Sequence, residues 1–252
     1  MVLRKEIRIF IFYAIAIGLS NIFRFQLFGL DGFYESIPVW GKLLTSPLQS
    51  SGTLIGSLLA LYFLRKERKL SHSLWGSSKK WSGLLALIPL LVFGIWGIEN
   101  KEGYNPHIIG LSMGLSFLVY CVFEEFAWRG YLEDEWKDMP EGKRILLIAA
   151  LWYVWHLSFL YEHDMLSQLI FFGLLVLGSW GMGKIIHSTK SVLASSCFHM
   201  LYNIWMLRSG FEVVLETPKK LIIMGICLLV WIIILRLWEK QSPLAEKKSF
   251  LP

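Results

Sequence analysis

Long apolar runs broken by short polar or basic stretches dominate the chain. A membrane-spanning helix needs about 20 mostly apolar residues. Eight stretches approach that length: 6–28, 47–64, 81–98, 107–129, 145–161, 166–184, 191–207 and 221–238. The seventh carries Ser191, Ser195, Ser196, His199 and Asn203, too polar a set to face lipid, so it is expected to be enclosed by the other helices. The first stretch has the look of a signal peptide. It nevertheless runs into Arg24 without a small-x-small cleavage site, and further spans follow, so it reads as a helix. No internal repeat, low-complexity tract or soluble domain interrupts the pattern. The pattern predicts an all-α polytopic membrane protein, with about eight transmembrane helices in one bundle and a single domain over residues 1–252.

Composition agrees. The chain has 252 residues, 55% hydrophobic and 17% charged, with mean hydropathy +0.52. Soluble domains carry about 25% charged residues. A disordered chain, a disulfide scaffold and a soluble two-domain enzyme are therefore excluded. The net charge of +6 becomes an orientation when the basic residues are assigned to loops. With the N-terminus inside, 19 of the 25 Lys and Arg fall on the cytoplasmic side, Arg208 counting outside and Lys247 and Lys248 inside. That predicts N-in and C-in. No basic stripe with interleaved aromatics lies outside the apolar runs, so no nucleic-acid partner is expected. Tyr34, Trp40, Trp75, Trp81, Tyr104, Trp136, Tyr161 and Trp238 stand near span ends as candidate interfacial anchors. Cys121, Cys197 and Cys227 all lie in apolar stretches and read as small buried hydrophobes.

Ionisable residues in such spans are expensive, about 2.5–3.5 kcal/mol for an Asp at mid-membrane on insertion scales. Three clusters stand out: Glu124-Glu125-Phe126-Ala127-Trp128-Arg129-Gly130, Trp152-Tyr153-Val154-Trp155-His156, and His199-Met200-Leu201-Tyr202-Asn203. Glu125 and Arg129 share a helix face and can pair. Glu124 is turned about 100° away and is the less neutralised carboxylate, suited to a general base. Adjacent charges at a cytoplasmic helix end are the plain alternative. His199 and Asn203 also share a face and can donate to a developing oxyanion, or simply hydrogen-bond between helices. At 1.5 Å per residue the three clusters lie about 8, 18 and 14 Å inside their helix ends, depths at which one site can form in the cytoplasmic half of the bilayer.

At these residues the chain resembles the CPBP (Abi) family of intramembrane proteases, which includes type II CAAX prenyl endopeptidase. The first motif of that family, Glu-Glu-x-x-x-Arg and often Gly, is matched by Glu124, Glu125, Arg129 and Gly130. The second, an aromatic, usually Phe, then three residues and His, has Trp152 as the aromatic in place of Phe and His156 in register. That change touches packing and removes no chemical group. The third, His-x-x-x-Asn, is His199 and Asn203. The resemblance spans about residues 107–207.

The resemblance implies an eight-helix bundle that hydrolyses a peptide bond of a membrane-associated, prenylated or leader peptide. Glu124 with His156 would activate water, His199 and Asn203 would stabilise the oxyanion, and Glu125 and Arg129 would support the site. Members were first described as metalloendopeptidases, yet a metal-free glutamate mechanism fits better. No cofactor is expected. Were zinc present, Glu124, His156 and His199 would be its ligands, but they lie on three helices without a short ligand spacing. The expected setting is the lipid bilayer of a bacterial cytoplasmic membrane, the site opening toward the cytoplasm. One alternative is a catalytically silent immunity or regulatory membrane binding protein. Another is a small transporter relaying protons through Glu124 and the histidines. The terminal Ser249-Phe250-Leu251-Pro252 has no prenylation Cys, so the chain is not expected to be a CAAX substrate itself.

Overall fold

The computed structural model describes residues 3–161, 163–206 and 216–241. Arg208, Lys247, Lys248, the Ser249–Pro252 tail and the last residue of the seventh expected span lie outside the described residues. All described regular structure is helical, and a single isolated bridge pairs Ser73 with Ser191. The helices are α1 (Lys5–Arg24), α2 (Leu30–Ser36), α3 (Pro38–Leu59), α4 (Lys79–Trp96), α5 (Pro106–Glu125), the three-residue α6 (Glu133–Glu135), α7 (Glu141–His156), α8 (Met165–Thr189), α9 (Val192–Met206) and α10 (Thr217–Lys240). A π-helical turn, Ala60–Leu64, extends α3, and a π-helical stretch, Phe126–Leu132, joins α5 to α6.

Among the described residues, six helices are long and apolar enough to cross a membrane: Lys5–Arg24, Val39–Leu64, Lys79–Trp96, Pro106–Glu135, Met165–Thr189 and Thr217–Lys240. The two other expected spans correspond to α7 and α9, which have 16 and 15 residues. Helix α9 is enclosed: Ala194, Ser195, Ser196, Cys197 and Met200 are all fully buried. All three cysteines are buried and free.

Helix α3 begins at Pro38, nine residues before the expected start at Pro47. A proline at the first position suits a helix start, whereas Pro47 lies inside the helix. Without an N–H at Pro47 the Leu43 carbonyl loses its helical partner, and the Ser116 hydroxyl of α5 donates to it instead. Pro89 inside α4 frees the Leu85 carbonyl in the same way, and the indole N–H of Trp231 on α10 donates to that oxygen at 2.8 Å. In a bilayer such a carbonyl has no water to turn to, so a neighbouring helix must satisfy it.

Two small-residue pairs at four-residue spacing let backbones close up. A Cβ at Gly52 of α3 would meet the Ala16 carbonyl of α1 at 2.7 Å, and one at Gly56 would meet the Phe12 carbonyl at 2.7 Å. On α5, a Cβ at Gly110 would sit 2.1 Å from the Phe93 carbonyl of α4, and Gly114 faces the Phe93 side chain.

Opposite helix ends are tied at one face of the bundle by three consecutive buried acids. Glu133 pairs with Arg144 of α7 and His187 of α8, Asp134 with Arg65, and Glu135 with Arg8 of α1. Trp81 Nε1, near the start of α4, donates to Gln241 at the end of α10. Four of the expected interfacial anchors, Tyr34, Trp81, Trp136 and Trp238, are instead buried in the protein. Their rings fill space between helix ends, and Trp238 Nε1 donates to Ser77 Oγ. Trp40, Trp75, Tyr104 and Tyr161 are exposed. The interior forms two apolar clusters, one built mainly from α4, α5, α9 and α10, the other from α1, α7, α8 and the π stretch. Tyr120 and Phe198 pack against both.

Candidate active site

The polar residues gather along the seam between these two clusters. Glu124 and Glu125 are the last residues of α5 before the helix changes pitch, and both are fully buried. A π-helical segment within an α-helix often marks a functional site. Here it also disturbs the carbonyl ladder, and Thr53 Oγ1 of α3 reaches the Phe123 carbonyl at 3.1 Å.

The two carboxylates have different surroundings. Glu125 Oε1 accepts from Arg129 Nη1 at 2.8 Å and from His199 Nδ1 at 2.9 Å, and its Oε2 accepts from Ser195 Oγ. Both its oxygens are occupied. Arg129 continues to Ser179 Oγ on α8, and its guanidinium lies 4.4 Å above the Trp152 ring. Glu124 has no cation in ion-pair contact. Its Oε2 accepts from two indoles, Trp152 Nε1 at 2.6 Å and Trp128 Nε1 at 3.1 Å, while its Oε1 is buried without a partner.

The histidines are fixed through their Nδ1 atoms. His156, the last residue of α7, directs Nδ1 at the Trp152 carbonyl at 2.8 Å. A carbonyl only accepts, so Nδ1 carries the proton and Nε2 keeps its lone pair. The next residue, Leu157, has φ 51°, a left-handed conformation that ends the helix at this point. His199 Nδ1–H points at the Glu125 carboxylate, which leaves Nε2 to face the seam. Its ring stands edge-on to Trp152, with centroids 5.0 Å apart. Asn203 Nδ2 donates to Cys121 Sγ at 3.2 Å. Ser195, His199 and Asn203, spaced by four on α9, thus meet Glu125 and Cys121, spaced by four on α5.

A pocket of about 190 Å³ opens against this arrangement between α8 and α9, lined by Trp152, Gly178, Met182, Phe198, His199 and Tyr202 among others. The buried Tyr202 hydroxyl has no partner. A Cβ at Gly178 would press on Met182 at 3.2 Å and on the Trp152 ring at 3.5 Å, so a glycine keeps the wall open there. Leu177 and Trp180 beside it are 63% and 53% exposed, on the side that would face lipid.

All six motif residues therefore lie along one seam, with Trp152 in contact with Glu124, Arg129, His156 and His199. Trp128, Trp152, Ser179 and Ser195 were not expected as polar partners. Ser195 has a readable signal, since it stands four residues before His199. Among the described residues no three His, Cys, Asp or Glu side chains converge as a metal-holding group. Glu124, His156 and His199 do not fit a zinc site as placed, because the three do not come together as a metal-holding group.

Residues 106–205 match the family model described as type II CAAX prenyl endopeptidase Rce1-like. No curated protein and no solved structure matches the chain.

Proposed function

We propose that the chain, whose residues 106–205 match the model described as type II CAAX prenyl endopeptidase Rce1-like, is an intramembrane endopeptidase of that kind using a glutamate-activated water. The observation that carries this reading is the unequal treatment of two adjacent carboxylates: Glu125 is saturated by Arg129, His199 and Ser195, whereas Glu124 keeps Oε1 without a partner. A water held by Glu124 Oε1 and His156 Nε2 gives its proton to Glu124 as its oxygen attacks the scissile carbonyl. His199, oriented by Glu125 through its Nδ1, and Asn203 with its amide N–H stabilise the oxyanion. The protonated Glu124 then delivers its proton to the leaving amine as the C–N bond breaks.

The substrate we propose is a membrane-associated or lipidated peptide that enters from the bilayer. The apolar pocket between α8 and α9 and its exposed Leu177 and Trp180 support that route. We propose eight membrane crossings over one domain, residues 1–252, with N-in and C-in orientation. The helix ends joined through Arg8, Arg65, Arg144 and Gln241 would then lie on the cytoplasmic face.

The test is cleavage of a fluorogenic farnesylated CAAX peptide by the purified chain in liposomes, beside an unprenylated leader-type peptide. Glu124→Gln is expected to lower the rate by about 10²–10⁴-fold with the fold intact. Undiminished cleavage by Glu124→Gln overturns the glutamate mechanism.

A further inference from the structure

Trp152 stands where the family pattern carries an aromatic, usually Phe, and its indole nitrogen does something no phenyl ring can do. Its N–H donates to Glu124 Oε2 at 2.6 Å between two buried side chains. Trp128 donates to the same oxygen from one turn along the chain, at 3.1 Å. Two donors on Oε2 set the plane of the carboxylate and direct Oε1 away from both indoles.

The ring that carries this donor is itself immobilised. Trp152 is 1% exposed. One face lies under the Arg129 guanidinium at 4.4 Å, and Arg129 is anchored to Glu125 and Ser179. The His199 ring meets it edge-on at 79°. Its own carbonyl holds His156 Nδ1. A side chain held on these sides keeps its N–H directed at Glu124, while its remaining edge lines the pocket. Cation–π contact with Arg129 favours an indole over a phenyl at this position as well.

We propose that Trp152 is a positioning residue of the reaction: its indole N–H aims the Glu124 carboxylate, leaving Oε1 as the oxygen that meets the attacking water. The proposal rests on the glutamate-activated water proposed above. Trp128 is the weaker second donor, because its bond is longer and its ring carries no contact with Arg129 or His199. A chain with Phe at 152 keeps the ring stack and loses the aim. The Glu124 carboxylate then rotates about its terminal torsion, which is broad for an sp² group. The fraction of time it faces the water falls, and binding of the substrate does not change.

Three variants test this with the farnesylated peptide in liposomes: Trp152→Phe, Trp128→Phe, and Trp152 replaced by benzothienylalanine, an isostere with sulfur in place of the indole N–H. The benzothienyl chain keeps volume and stacking, so it isolates the donor even where Trp152→Phe fails to fold. The expected result is a kcat about 10–100-fold lower for both position-152 variants, the loss of one hydrogen bond to a charged group, with KM unchanged. Trp128→Phe is expected to show a smaller fall. A benzothienyl variant with wild-type kcat overturns the proposal, and so does a rise in KM with kcat unchanged, which would mean ring packing alone. A second readout needs no turnover: the indole ¹⁵N–¹H resonance lost in Trp152→Phe is expected far downfield in the wild type and to move upfield in Glu124→Gln. A resonance indifferent to Glu124→Gln overturns the proposal. If Glu124→Gln still cleaves while that resonance responds, the fault lies in the glutamate mechanism and the bond between Trp152 and Glu124 stands.

Discussion

Replacing Arg129 with Met is expected to unfold the protein or nearly so, and the damage is expected to be reversible by a second substitution. Arg129 and Glu125 are 1% and 0% exposed and bridge at 2.8 Å. Removing one member of a buried pair strands the other charge, at a cost of about 3–5 kcal/mol. The Arg129 stack on Trp152, desolvated at 4.4 Å, is worth about 2 kcal/mol more. A typical domain has about 5–15 kcal/mol to lose. In the double variant Glu125→Gln/Arg129→Met no charge is stranded, while the Gln carbonyl still accepts from His199 Nδ1 and its NH2 donates to Ser195 Oγ, whose hydroxyl turns to accept. That variant is expected to recover about 3 kcal/mol or more of the loss. Thermal unfolding in detergent, followed by tryptophan fluorescence, measures both. Cleavage should stay low in the double variant, since a neutral Gln holds His199 Nδ1–H more weakly than a carboxylate does. A double variant no more stable than Arg129→Met would refute the reasoning. The cost would then come from the volume and hydrogen bonds of Arg129 rather than from an uncompensated Glu125.

Other expectations follow from single contacts. Trp231→Phe removes the donor that satisfies the Leu85 carbonyl and should cost about 1–3 kcal/mol; adding Pro89→Ala restores a backbone N–H for that carbonyl, so the double variant should regain most of the melting temperature. Gly110→Ala places a methyl 2.1 Å from the Phe93 carbonyl and should separate α4 from α5, read as a fall in melting temperature that Gly142→Ala, with open space around it, does not show. His72, in the loop between α3 and α4, is 6% exposed with neither ring nitrogen partnered. Burial, with Lys190 and His187 nearby and Glu133 and Asp134 opposing, pushes its pKa down to about 4. Protonation therefore favours the unfolded chain, where His titrates near 6.5. Its contribution to stability is full above about pH 6.5, declines as pH falls toward 4, and is level below. His72→Phe should flatten that part of the wild-type stability profile, measured as the difference between the two chains so that carboxylate titration cancels.

Hydrophobic runs marked where the helices lie, since a lipid-facing or buried span must be apolar throughout. They misplaced ends wherever a single residue was given too much weight. Pro47 looked like a boundary because proline breaks helices in water, but Ser116 on another helix satisfies the carbonyl it frees. Trp81, Trp136 and Trp238 looked like interfacial anchors because tryptophan favours that depth, but composition does not say whether a ring at a helix end turns outward or inward. The close approaches at Gly52, Gly56, Gly110 and Gly114 were written in the chain as four-residue repeats, and their meaning depends on which helix lies opposite. At the site, spacing within one helix was enough to place Glu125 with Arg129 on one face and His199 with Asn203 on another. What spacing does not carry is the register between helices. The meeting of His199 and Ser195 with Glu125, and of Trp152 with Glu124, is set by that register.

The same register explains why two adjacent glutamates serve a site of this kind better than one. Neighbouring residues on a helix point about 100° apart. At the end of α5 that angle separates two neighbours: Glu125 meets Ser195 and His199 of α9, and Glu124 meets Trp152 of α7. A single carboxylate asked to orient a histidine and also to face a water would spend both oxygens on the first task. Divided over two positions, one group is consumed in fixing Arg129 and His199, and the other is held from one side only. Each glutamate therefore depends on a different helix, and no local stretch of the chain can form the site alone. Until α7 and α9 dock on α5, Glu125 has only Arg129 and Glu124 only Trp128, each a partner on the same stretch, and the donors from Trp152, Ser195 and His199 are missing. Docking of those helices completes the site.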